Sequence, residues 1–187
     1  MQTYIESSCT ISQNQILLNG KTVFSTEILN FADFSKKAIR HFEIDYPKFY
    51  KMDNLSKLAF LGAELLLKDE MKCSNIALVL ANKSSSMDTD LKHHHSISDK
   101  ENYFPSPAVF VYTLPNICLG EISIRHQLRS ENSFFIFAAD NQRFMKNYAD
   151  VLIHTKKAEK VLCGWVEYYN EGYNANMFLV APSAENN

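Results

Sequence analysis

Apolar residues recur along this chain at two spacings. Leu55, Leu58, Ala59, Gly62, Leu65 and Leu66 lie three and four residues apart, and Asp53 stands where an N-cap belongs. That pattern predicts an amphipathic helix over 54–70. The same helical spacing returns over 116–128 and 141–155. Short runs of a different kind lie between them. Tyr4–Cys9 reads as a strand, extended by a short one at Gln15–Leu18 before Asn19-Gly20, a dipeptide suited to a hairpin turn. Ile76–Leu80 and Ser133–Ala138 are continuous apolar runs, the kind buried in a parallel sheet. Val161–Glu167 and Met177–Val180 read as two further strands, antiparallel to each other across a Gly-containing loop. Residues 83–106 and the stretch from Ser183 read as long loops, and no internal repeat is present. Strands alternating with helices predict an α/β fold, a mixed and mostly parallel five-stranded sheet flanked by helices. One domain is expected over 1–182, followed by a polar tail over 183–187.

Composition narrows the partners more than the fold. Of the 187 residues, 46% are hydrophobic and 21% charged, enough for a real core. A net charge of -2 leaves no concentrated basic patch for a nucleic acid or membrane surface. No signal peptide is visible at Met-Gln-Thr-Tyr-Ile-Glu, and no segment approaches the roughly 20 apolar residues that cross a bilayer, so a soluble, cytoplasmic protein is expected. Cys9, Cys73, Cys118 and Cys163 are far apart and mostly inside apolar runs, as free cysteines in a reducing compartment are. His93-His94-His95 invites a zinc reading. Three consecutive side chains point different ways, so a solvated loop suits them better than one ion, and no metal or cofactor is expected. A general-base group of Asp88, Asp90 and His93 has only proximity behind it. His126 follows Arg125 on a helix and reads as a surface or capping residue.

Four segments, in order, resemble the N-terminal half of a β-ketoacyl synthase. They are Tyr4-Ile5 through Thr10-Ile11-Ser12, Ser106-Pro107 through Pro115-Asn116, Leu119-Gly120 through Leu128, and Ala158-Glu-Lys-Val-Leu-Cys-Gly164-Trp-Val-Glu167. The last resembles a strand written A-D-x-V-L-A-G-G-x-E in those enzymes. The resemblance implies half of a thiolase-like fold in three layers. It also implies a nucleophilic cysteine after the strand at 133–138, at the start of the next helix, where free N–H groups favour a thiolate. That position falls at Ala139, within Phe137-Ala138-Ala139-Asp140-Asn141, which holds no Cys, Ser or Thr. Alanine forms no acyl-enzyme. The family's two catalytic histidines belong to the half this chain lacks, and Gln127 and Ser130 stand where active members carry glycine.

The resemblance therefore implies a silent relative: a chain-length-factor-like subunit of a full-length β-ketoacyl synthase, in fatty acid or polyketide (aryl polyene-type) biosynthesis, with acyl carrier protein as a further partner. Phe110, Tyr112, Leu114 and Asn116 then become candidates for the acyl tunnel or the partner surface, as do Phe134, Phe135 and Phe137 beside the lost nucleophile. Core packing is a sufficient role for the three phenylalanines and for Phe110; for Leu114, core and tunnel roles are equally open. Arg143, Lys146, Asn147, Asp150 and His154 share one arc of their helix, expected to face water or a polar partner, so the chain is read as complete in itself. Two other readings stand beside this one. One is an active 3-oxoacyl-ACP synthase using Cys163, an unaligned residue or a second chain. The other is a non-enzymatic binding scaffold.

Overall fold

The computed structural model describes residues 2–27, 30–70 and 75–183. Seven strands and six helices follow in the order β1 (Thr3–Ser12), β2 (Gln15–Leu18), β3 (Lys21–Ser25), α1 (Phe31–His41), α2 (Asn54–Leu66), β4 (Ile76–Asn82), α3 (Met87–Ser98), α4 (Pro107–Val111), α5 (Ile117–His126), β5 (Asn132–Ile136), α6 (Gln142–His154), β6 (Lys160–Tyr169) and β7 (Gly172–Pro182). A short 3-10 turn covers Pro47–Lys51.

One sheet holds all seven strands in the order β3-β2-β1-β7-β6-β4-β5. Here the five-stranded, mostly parallel expectation is corrected. Only β4–β5 and β4–β6 pair in parallel, and the other four pairings are antiparallel. The reason is local. Asn19 and Gly20 both take positive φ, the geometry of a tight hairpin turn, so the chain folds back into a strand that the hydrophobic pattern did not signal. A second such turn at Gln13–Asn14 joins β1 to β2, and a third at Asn170–Glu171 joins β6 to β7, which are antiparallel as expected.

Helices cover both faces. On one, α1, α2 and α5 bury Phe31, Phe34, Phe60, Leu61, Leu119 and Ile122 against Cys9, Ile11, Leu78, Leu80, Met177 and Leu179. The Asp53 side chain caps α2, accepting from the Ser56 amide at 2.9 Å as its position predicted. The helix stops at Leu66, short of 70, and Leu67 to Glu70 form a turn. On the other face α6 packs Met145, Ala149, Leu152 and Ile153 onto Val79, Val161, Cys163 and Val180. Every residue of β4 is buried, as its apolar run predicted. The run at 133–138 is different: β5 is the sheet's edge, half-buried, and ends at Ile136.

The loop expected over 83–106 is largely helical. Met87–Ser98 forms α3, started by Ser86, whose hydroxyl donates to the Thr113 carbonyl at 2.7 Å. Polar composition hid this helix, because its outward face carries Lys92, His94 and His95. Cys9, Cys118 and Cys163 are free and buried. Cys73 and the tail beyond Ser183 lie outside the described residues. Among the described residues, no helix is long and apolar enough to cross a membrane.

Candidate functional site

The β5–α6 junction shows what occupies the position where the resemblance places a nucleophile. Ala138, Ala139 and Asp140 are exposed. Asn141 caps α6, its Oδ1 accepting from the Phe144 amide at 3.1 Å. Asp140 Oδ2 accepts from Asn176 of β7 at 3.3 Å and from Gln142 at 3.4 Å. One amide of the helix end that would stabilise an anion is thus capped by Asn141, and the Asp140 carboxylate stands beside it. Phe135 and Phe137 stack at 5.8 Å, and both meet Phe144 edge-on, at 5.1 and 5.0 Å. Phe134 lies on the opposite face of β5, packed toward the larger core.

The other candidates stand on an arm formed by α3, α4 and the segments around them. Phe110 is 61% exposed and Leu114 58%, so the core role expected for Phe110 does not hold. None of the residues of α4 is buried. Tyr103, Phe104, Val111, Met87 and Leu91 are also exposed, Phe104 by 74%. The His93 ring packs 5.3 Å from that of Phe110, so His93 belongs to the arm's own packing, while His94 and His95 face outward on α3. Among the described residues, no group of three His, Cys, Asp or Glu side chains is placed to hold a metal ion.

Tyr112 is the anchor of this arm. It is 8% exposed, and its hydroxyl donates to Glu121 Oε1 at 2.9 Å, while Glu121 Oε2 lies 2.8 Å from Lys48 Nζ. Burial and the adjacent carboxylate push the Tyr112 phenol well above its ordinary pKa, which keeps it a donor. Asn116 is exposed at the N-cap of α5. At the other end of that helix Gln127 takes φ +57, a left-handed cap that glycine would adopt without strain.

The sequence did not single out Glu64, Arg125 and His126 as a group. Arg125 binds the Glu64 carboxylate through Nε at 2.9 Å and Nη2 at 3.1 Å; His126 Nε2 lies 2.9 Å from Glu64 Oε1. This trio ties α5 to α2, so His126 is a partly buried linker and not a surface cap. One signal was available: Glu64 is a charge inside the apolar stripe of α2. The polar arc of α6 is also partly engaged. Arg143, Asn147 and His154 are exposed, but Lys146 and Asp150 pair at 2.6 Å and both bond to Thr3 of β1. Cys163 is fully buried in β6, and burial holds its thiol far above the ordinary value. Burial raises the Cys9 thiol as well, to about 12.

No family model matches the chain. No curated protein matches it either. Solved structures do. A chain of the ishigamide ketosynthase/chain length factor superposes with a TM-score of 0.73 at 16% identity, over 100% of this chain and 63% of that one. A chain of the ketosynthase ApeO in complex with its chain length factor ApeC, from Xenorhabdus doucetiae, gives 0.66 at 14% identity, over 99% and 81%. The AntDE:AntF assembly, a type II PKS acyl-carrier protein in complex with its ketosynthase, gives 0.63 at 14%, over 96% and 62%. The chain therefore spans a little under two thirds of the first of these and about four fifths of the second, and it carries the thiolase-like fold of ketosynthases and chain length factors.

Proposed function

We propose that this chain is a catalytically silent, chain-length-factor-like subunit. It pairs with a full-length β-ketoacyl synthase in fatty acid or polyketide (aryl polyene-type) biosynthesis and helps bound the acyl tunnel. Acyl carrier protein is the further partner of the assembled pair. The carrying observation is the apolar arm. Seven large apolar residues over 87–114 stand 42–74% exposed. They sum to a surface on the order of several hundred Å², the scale at which exposed apolar area marks an interaction site. The open edge of β5 and the half-exposed Ile136 extend what a partner can cover. Two of the similar structures are named for ketosynthases and chain length factors, the second being a ketosynthase in complex with its chain length factor, and the third includes an acyl-carrier protein.

The chemistry supports silence. No Cys, Ser or Thr stands at 137–141, and the cysteine proposed as a substitute is buried in mid-strand with a strongly raised pKa. Bounding a tunnel needs only bulk at its end, which Leu114 and Phe110 supply. Co-expression with the synthase encoded nearest to it is the test. A stable heterodimer is expected, with a product distribution that shifts when Leu114 becomes Trp. A monomer beside every synthase tried, together with unchanged products, would end the proposal. A covalent acyl adduct on this chain after incubation with an acyl-carrier-protein thioester, read by intact mass, would end the silent reading by itself.

A further inference from the structure

A cavity of about 270 Å³ opens where α2, α3 and α4 meet, away from β5 and the α6 junction. Lys51, Lys57 and Lys92 line it, with Met52, Ala108 and Val109 as apolar wall and Asp53 as its one carboxylate. Lys92 is already paired with Asp88, one turn earlier on the same face of α3, at 2.6 Å. No carboxylate among the described residues comes within ion-pairing reach of Lys51 or Lys57. Asp53 is already committed: one oxygen accepts from the Ser56 amide and the other from the Thr89 hydroxyl at 2.9 Å. With Lys92 paired to Asp88, the cavity wall leaves Lys51 and the half-buried Lys57 without a carboxylate at contact distance, against Asp53 as the one carboxylate lining it.

Partly buried charge without a close partner is costly, and Lys57 is such a charge, with the exposed Lys51 and Lys92 lining the same cavity. Burial, together with the nearby Lys36 and Lys92 ammonium groups, pulls the Lys57 pKa below its ordinary value against the opposing pull of Asp53. An anion in the cavity would reverse that imbalance. Liquid water takes about 30 Å³ per molecule, so the space holds a phosphate group with a short stem. Ammonium groups bind phosphate as point charges, and the methyl groups of Ala108 and Val109 offer a stem a dry surface.

We propose that Lys51, Lys57 and Lys92 form a binding site for a phosphate group. The proposal is independent of the partner reading above, and either can fail alone. Because Ala108 and Val109 belong to α4, an occupant would also steady the base of the apolar arm.

The test uses the full chain, labelled for NMR, titrated with inorganic phosphate at pH 7 and constant ionic strength. Saturable shifts are expected over 51–57, 89–92 and 108–112. The Lys57 side-chain pKa, followed at its Cε, should rise on binding. Lys57→Gln should weaken binding at least tenfold. Asp53→Asn keeps the helix cap and removes the opposing charge, so it should bind as tightly or more tightly. Butyl phosphate binding better than inorganic phosphate would identify a phosphate ester as the source of the group; the reverse order would identify free phosphate. Shifts matched by chloride, or unchanged affinity in Lys57→Gln with the fold intact by its spectrum, would overturn the site.

Discussion

Two strands lie side by side in register, Leu80 of β4 opposite Phe134 of β5, and have opposite surroundings. All seven residues of β4 are buried between parallel neighbours. β5 has a neighbour on one side only and is half-exposed along its length. Both read as the same object in the sequence, a short apolar run. What separates them is how many neighbours the topology provides, and the missing neighbour of β5 is where a second protein would contribute most.

The largest effect should come from the central strand. Leu80→Ala removes a fully buried side chain from the larger core and is expected to cost about 2–5 kcal/mol. Phe134→Ala, at the matching position of the edge, should cost roughly half as much despite removing a larger side chain, because solvent already reaches it. Denaturant midpoints with unchanged slopes measure both. Equal losses would mean that β5 is as enclosed as β4, and the contrast between them would collapse.

Next comes the clasp that holds the layer over β5. α5 packs on β5 and is tied to α2 by Glu64, Arg125 and His126. Burial raises the Glu64 pKa, but the hydrogen bonds and charges of His126 and Arg125 outweigh it and hold the group below the ordinary carboxylate value. A carboxyl depressed on folding stabilises above its unfolded pKa and loses that contribution as pH falls through the folded one. Asp53 has the opposite sign: burial raises it, so its ionised form opposes folding at neutral pH and ceases to do so in acid. Glu64→Gln should cost roughly 2–3 kcal/mol at pH 7, less than a fully buried pair because Arg125 is 30% exposed. The deficit should shrink below about pH 4, where the wild-type carboxyl is itself protonating. A deficit that stays constant down to pH 3 would show that packing, not charge, holds the clasp.

These residues also show what was legible. The cap of α2, the cores of α2 and α6, the burial of β4 and the β6–β7 pairing follow from spacing and composition, because each depends on neighbours close in sequence. The β2–β3 extension was half visible: Asn19-Gly20 marked a turn, but Lys21–Ser25 is too polar to announce a strand. The edge position of β5 was not legible, since it depends on where the chain goes after α6. At the candidate site the sequence showed that 137–141 hold no Cys, Ser or Thr; the exposure of Phe110 and the Tyr112–Glu121–Lys48 anchor were not legible, because side chains from three separate segments meet there.

The smallest effect on the molecule itself should be the most informative about its partner. Ile136 ends β5 and is 51% exposed, so it contributes little to the fold. Ile136→Lys places a charge on an open edge, the device by which sheets discourage pairing. Its cost to stability should stay within about 0.5 kcal/mol. In the co-expressed pair the same charge would have to be buried against the synthase, and copurification is expected to fall at least tenfold. Lys on the arm in place of Leu114 should do the same by an independent route. If Ile136→Lys leaves the heterodimer intact while Leu114→Lys abolishes it, the arm alone makes the contact and the free edge of β5 has no part in it.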